Sequence, residues 1–383
     1  MQNDAMSGHP AATTKPNADG RPDDGRGLTY PCGSPPSAGE VREVAPGVLW
    51  LRVPLPFTLD HINLWAIADE DAQGAGWAIV DTGTRTPEVL AAWRALVAPD
   101  GPLAATPQGA RLTRVFVTHM HPDHVGMAGW LTRKFGCQLW MTRLEYLTCR
   151  TLAADTGREA PADAIRFYRQ TGWQEDALDV YRARFGGFGR YLHTLPDSFR
   201  RLSDGLVIRI GAHDWRVAVG RGHSPEHACL VCDDLRVMIS GDQILPRISS
   251  NVSVFPTEPE ADPLGDWMTS IAHLRATLDA DLLVLPAHGE PFLGVHARLD
   301  RLADGHIKGL ARLREAIVEP RRAIDVFGAL FARPIDDNDQ LLGLATGESL
   351  AHLNYLVARG EAVRELGADG IRRYRLAHGQ TGH

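Results

Sequence analysis

The sequence predicts an α/β protein of layered sheets flanked by helices, with a helical insertion and a separate C-terminal module of helices and a hairpin. Three observations predict it. Strand-like apolar runs alternate with helical segments over about residues 40–300, as expected of a four-layer αββα sandwich. Four of those runs end in histidine or aspartate at a turn, where open layered sheets place their chemistry. Helix-rich stretches at 144–199 and beyond residue 301 interrupt and then follow the alternation.

Taken in order, residues 1–38 are rich in Gly, Pro, Asp, Asn and Ser. They read as a disordered leader without the basic start and apolar centre of a signal peptide. Strands follow at Val48–Val53, Ile62–Ile67 and Trp77–Val80, and then a helix at Pro87–Val97. Asp81 sits at the tight turn between the last strand and this helix. The run Val115-Phe116-Val117 opens into Thr118-His119-Met120-His121-Pro122-Asp123-His124, with four metal-capable side chains in six positions. Imidazole suits zinc, iron and related metals, and a carboxylate can join the same cluster. A helix over 124–136 is expected next, starting at the last of these residues.

The insertion at 144–199 carries helical signals at Ala162–Gln170 and Gln174–Phe185 and many aromatics, Tyr146, Phe167, Tyr168, Trp173 and Tyr181 among them. Two readings stand: a lid over an apolar or acyl-bearing substrate, or a helical layer with its own small core. The run Trp215–Val219 then leads to His223 and His227, Val237–Ile239 leads to Asp242, and a helix over 265–279 precedes Leu282–Leu285, which leads to His288. Singly His223, Asp242 and His288 could be loop or turn residues; beside the first motif they read as the rest of a metal cluster. Cys229 and Cys232 form a CxxC string within a strand-like run, where side chains three apart point to opposite faces, so buried packing is expected rather than a joint site.

The motif set resembles the metallo-β-lactamase-fold hydrolase superfamily, and more closely its glyoxalase-II-type branch. The resemblance covers about residues 40–300 and implies the same four-layer sandwich. Carried over residue by residue, it implies that His119, His121 and His223 hold one metal, that Asp123, His124 and His288 hold a second, and that Asp242 bridges them. The implied cofactors are two zinc ions, with iron or manganese as alternatives. Two such ions about 3.5–4 Å apart lower the pKa of a shared water toward ~7, giving a hydroxide that attacks a carbonyl or phosphoryl centre. Asp123 would also orient that nucleophile. Asp81 would fix the tautomer of a ligand histidine, and His227 would support the site from outside the ligand set. His61 reads as structural. Arg247 and Tyr191 are candidate substrate contacts, the former through its fork of donors. β-Lactamases of the common subclass carry cysteine where this chain has Asp242, which argues against antibiotic hydrolysis.

Composition narrows the function. The 383 residues are 44% hydrophobic with a net charge of −7 and five cysteines. That fits a large core, gives no global support for nucleic-acid binding, and points to free thiols in a reducing, cytoplasmic setting. No apolar span is long enough for a membrane helix. From Asp304 the sequence predicts helices at 304–318, Ala323–Phe331 and Glu348–Val357, then strands Ala362–Leu366 and Ile371–Leu376 around a Gly367-Ala368-Asp369-Gly370 turn. Three helices and a hairpin resemble a winged-helix domain, placed at 301–383; such a domain is appended to a branch that includes endoribonucleases. Residues 301–383 hold 12 Lys and Arg against 11 Asp and Glu, so packing on the hydrolase domain or a homodimer interface is favoured over nucleic-acid binding. The leading expectation is a dinuclear hydrolase of a small-molecule thioester, ester or lactone. A metal-dependent endoribonuclease, a regulatory or binding protein with incidental hydrolysis, and an iron-dependent oxygenase follow.

Overall fold

The computed structural model describes residues 27–56, 59–332, 334–335 and 339–377, together with two short strands at Lys15–Pro16 and Pro22–Asp23. Two mixed sheets organise the chain. The first has the order Arg200–Leu202, Gln138–Thr142, Leu112–Phe116, Gly74–Val80, His61–Asp71, Val48–Pro54, Val41–Ala45. Its first four strands are mutually parallel and the rest antiparallel. The second has the order Val207–Ile210, His213–Gly220, His227–Cys232, Val237–Gly241, Leu283–Pro286, with only the last pair parallel.

Period-two side chains let each sheet feed two cores. Along Val48–Pro54, Val48 and Trp50 face the core between the sheets, while Leu51 and Val53 join the core on the outer face. The inner core is rich in tryptophan: Trp50 stacks on Trp65 at 6.2 Å, and Trp215 is fully buried with them. Helices Pro87–Leu96 and Ala128–Phe135 cover the first sheet. Helices Pro263–Thr277 and Val295–Ala316 cover the second. The four layers are therefore αββα, as expected. Helix Pro87–Leu96 starts where sequence chemistry sets it, with Thr86 Oγ1 accepting from Val89 N and proline at the first turn. Cys229 belongs to the outer core and Cys232 to the inner one, on opposite faces of their strand.

Several expectations need correction. The single helix over 124–136 is two, Pro122–Val125 and Ala128–Phe135. The break arises because the backbone here bonds the loop after Asp81: Thr82 N donates to His124 O at 2.8 Å, and Met127 N donates to Gly83 O at 3.0 Å. The helix expected at 304–318 starts at Val295 and runs unbroken through residue 301 to Ala316. The last helix starts at Asp339 rather than Glu348. Residues 336–338 of the acidic loop lie outside the described residues. The leader expected over 1–38 has fixed structure from Gly27. Leu28 is fully buried, and Thr29 exchanges backbone hydrogen bonds with Leu293. Leu28, with Tyr30 packed beside it, docks this segment on the outer core. Most of residues 1–26 lie outside the described residues.

The insertion fits neither expectation alone. Its aromatics stack on one another, Tyr168 on Trp173 at 4.3 Å, but in the same core as the C-terminal helices. Trp173 Nε1 donates to Thr346 Oγ1 on the helix Asp339–Ala358. The insertion and the C-terminal module thus clasp each other. Strands Ala362–Leu366 and Arg372–Leu376 form the expected antiparallel hairpin, anchored by buried Tyr374 through backbone bonds to Arg321. No helix among the described residues is long and apolar enough to cross a membrane.

Candidate metal centre

The site lies where the ends of the two sheets are stitched together. Ala228 N of the second sheet donates to Thr118 O at the end of the first, and Asn63 N donates to Ala287 O. These bonds bring four loops to one point, each leaving a strand end that carries ligands. His119, His121, Asp123 and His124 follow Leu112–Phe116, His223 follows His213–Gly220, Asp242 follows Val237–Gly241, and His288 follows Leu283–Pro286.

All seven predicted ligands converge. One group contains His119, His121, His223 and Asp242, and the other Asp123, His124 and His288, with the donor atoms of each group within 4.8 Å of one another. In the first, His119 Nε2 lies 2.8 Å from His121 Nδ1 and 3.3 Å from His223 Nε2. In the second, Asp123 Oδ2 is 3.6 Å from His124 Nε2 and 3.4 Å from His288 Nε2. Asp242 divides its oxygens between them. Its Oδ2 is 3.3 Å from His223 Nε2, and its Oδ1 is 3.4 Å from both His124 Nε2 and His288 Nε2. Tetrahedral sites with bonds of about 2.0–2.1 Å have corners roughly 3.4 Å apart, so both groups are spaced for a shared cation. His124 Nε2 and Asp242 Oδ1 are buried without a hydrogen-bond partner. Such orphans are costly unless something binds them, and a metal ion satisfies both.

Electrostatics agree. Burial, reinforced by neighbouring imidazoles, lowers the pKa of His119 well below the usual histidine value and that of His121 to about 3, leaving neutral donors. At His124 and His288 burial works the same way, but carboxylates outweigh it and raise both: Asp81, then Asp123 and Asp242, at His124, and Asp242 and Asp123 at His288.

Supporting contacts fix the ring orientations. Asp81 Oδ2 accepts from His124 Nδ1 at 2.7 Å, and its Oδ1 accepts from Thr118 N at 2.8 Å, as expected of this residue. Asp81 adopts φ 60°, a left-handed conformation that costs a non-glycine residue about 1–3 kcal/mol and persists where packing demands it. His223 Nδ1 donates to Asn251 O at 2.7 Å, and His288 Nδ1 donates to His61 O at 2.8 Å, turning each Nε2 inward. His61 itself accepts from Gly289 N, so its role is structural. His227 Nε2 accepts from Asp242 N at 3.0 Å. That nitrogen is committed to the backbone, which keeps His227 out of both ligand groups. We expect His227→Ala to lower kcat/KM by about 10–100-fold with metal content unchanged; loss of an ion, measured by elemental analysis, would make His227 a ligand.

Besides Asn251, two supports were missed. Glu145, fully buried, accepts from Met120 N at 2.9 Å and Glu226 N at 2.7 Å, tying the loop of His119 and His121 to that of His223. In sequence it is one more acidic residue in a helix first turn. Asn63 accepts from Trp50 Nε1 and donates to Pro286 O and Gly289 O around His288. A lone asparagine within a strand gives no signal.

The two candidate substrate contacts, Tyr191 and Arg247, have partners outside the ligand set. Tyr191 is 44% exposed on the insertion, and its carbonyl accepts from Arg85 N and Thr84 Oγ1. Among the described residues it makes no hydrogen bond to the ligands. Arg247 pairs with Glu290 at 3.1 Å and sits over the Tyr30 ring.

Residues 58–288 match the family model of the metallo-beta-lactamase superfamily, and residues 310–377 match that of the metallo-beta-lactamase-like C-terminal domain. A beta-lactamase domain protein from Burkholderia ambifaria has a similar structure, with TM-score 0.82 and 41% identity over 91% of this chain and 98% of that one. A metallo-beta-lactamase family protein from Thermus thermophilus gives TM-score 0.69 and 26% identity over 87% of this chain and 100% of that one. The probable metallo-hydrolase YqjP of Bacillus subtilis is 24% identical over 81% of this chain and 92% of its own length. An atrochrysone carboxyl ACP thioesterase of Aspergillus fumigatus is 24% identical over 64% of this chain, which spans 41% of that protein.

Proposed function

The chain belongs to the metallo-beta-lactamase superfamily, and we propose that it is a dinuclear metal-dependent hydrolase of small-molecule thioesters. The observation that carries the dinuclear reading is Asp242, whose two oxygens face two separate ligand groups. We assign both sites to zinc, for which the histidine-rich donor set is suited, with iron or manganese as alternatives. A pair of such ions supplies an activated water near neutral pH and polarises the acyl carbonyl. The chain's own residues do the rest. Asp123, 21% exposed at its side chain and the most open of the acidic ligands, is placed to accept a proton from the attacking water and orient it. Asp81, Asn251 and His61 hold His124, His223 and His288 in the ligand tautomer.

The thioester preference draws on the thioesterase name of a relative and on the aspartate at 242. The nucleic-acid alternative is weakened by the hairpin arginines. Arg372 pairs with Glu260, Arg373 with Asp369, and Arg375 with Glu365, so each already faces a carboxylate. A panel of acyl-CoA, glutathione thioester, lactone and single-stranded RNA substrates, given to the metal-replete protein, tests the proposal. Thioester turnover well above that of the lactone and RNA is expected; RNA cleavage without thioester turnover would overturn it.

A further inference from the structure

A second cavity, of about 250 Å³, lies between the loop after Asp242, the helix Val295–Ala316 and the helix Asp339–Ala358. Its lining residues include four arginines, Arg247, Arg298, Arg301 and Arg312, and a single acidic residue, Glu348; of the arginines, Arg247 also pairs with Glu290 and Arg312 Nε donates to Ala329 O. Arg298, Arg301 and Arg312 recur every three to four residues with Gly305 and Gly309 and so share one face of the long helix. A methyl group built on Gly305 would meet no atom within 4 Å; the glycine leaves room in the cavity. Arg298 is 7% exposed and holds the loop carbonyls of Leu245 and Ile248. Glu348 accepts from Asn251 Nδ2 at 2.8 Å, and burial raises its pKa to about 7, so it carries only part of a charge.

The hydrogen-bond pattern defines one more feature. His352 Nδ1 must donate to the Glu348 carbonyl, 2.9 Å away, which leaves Nε2 of the neutral ring as an acceptor. His306 Nδ1, 3.3 Å from that Nε2, must therefore donate to it. That leaves a lone pair on His306 Nε2, which is buried and has no partner, on a residue 6% exposed that lines the cavity. Such a wall suits an anion that carries a hydroxyl or amino donor beside its charge. Asn251 links a residue of the cavity to one of the metal centre, donating to Glu348 through its side chain and accepting from His223 through its carbonyl.

We propose that this cavity holds the phosphorylated pantetheine arm of the thioester carrier while the acyl group lies at the metal centre. The proposal rests on the thioesterase reading for the identity of the substrate, but not for the existence of the anion site. The same phosphate chemistry occurs in coenzyme A and in the prosthetic arm of acyl carrier proteins.

Kinetics on the metal-replete full chain tests it, comparing an acyl-CoA with the matching acyl N-acetylcysteamine thioester, which has the same reactive bond and no phosphate. Arg301→Gln and Gly305→Leu are the variants. The second fills the cavity without removing a charge, and leucine is a better helix former than glycine, so it does not depend on a perturbed fold. Each should raise KM for the acyl-CoA about tenfold, near the value of one charge-assisted hydrogen bond, with kcat and the N-acetylcysteamine KM unchanged. Equal changes for both substrates, or none, would overturn the proposal. Calorimetry with adenosine 3′,5′-bisphosphate and with pantetheine 4′-phosphate reads the site without turnover. Binding of the first points to coenzyme A and of the second alone to a carrier-protein arm. Either, lost in Gly305→Leu, supports the site even where no thioester is hydrolysed, in which case only the thioesterase reading falls. Binding of neither probe would overturn the proposal.

Discussion

Asp242→Ala is expected to lower kcat/KM for the best thioester by more than about 10³-fold, beyond the 10–100-fold typical of supporting contacts. Asp242 belongs to the first ligand group and its other oxygen faces the second, so its loss leaves three donors in the first and removes the carboxylate 3.4 Å from both histidines of the second. Both sets of residues that would hold an ion then lose a nearby negative charge, so metal content should fall with activity. His121→Ala removes a donor from one group only, and it too should abolish turnover, with retention of the second ion. Circular dichroism melts separate these effects from unfolding. Asp242→Asn keeps the volume and an acceptor oxygen but not the charge; activity within tenfold of wild type in that variant would remove Asp242 from the bridging role.

Stripping the metals with a chelator should destabilise the folded chain. Ions bound a thousandfold above their Kd contribute about 4 kcal/mol each through mass action. For a chain of this size that corresponds to a loss of several degrees or more in Tm. The protein-only cluster explains why the effect should be large. His119 and His121 approach at 2.8 Å, and two polar atoms of the cluster are buried without partners. Re-addition of zinc should restore the melt. An unchanged Tm with all metal removed, read by calorimetry and elemental analysis, would show that the cluster is satisfied without a cation.

The ligand set was legible because metal chemistry uses few residue types and places them at strand ends. His119, His121, Asp123 and His124 announce themselves by density, and His223, Asp242 and His288 by the apolar run before each. The strands were legible for the same reason, since period-two burial writes itself into sequence. Contacts that depend on which loops meet in space were not legible. Glu145 and Asn63 bind backbone groups far away in the chain, and Asn251 offers its own carbonyl to His223; nothing local to them marks that use. The break at Gly126 was missed for a similar reason, because the backbone's partners there belong to the loop after Asp81. Leu28 escaped because composition averages over a segment, whereas docking depends on individual side chains. The C-terminal helices were placed by periodicity, but their starts were not. Helix Val295–Ala316 begins at Gly294, whose φ of 102° ends the preceding loop, rather than at a polar cap.

Titration of zinc into the chelator-stripped protein, with thioester hydrolysis as the readout, tests the account most directly. Two ligand groups joined by Asp242 predict activity that is absent without metal and saturates near two equivalents per chain, a stoichiometry that elemental analysis should reproduce. Full activity in the stripped protein, or none at any zinc level, would contradict it.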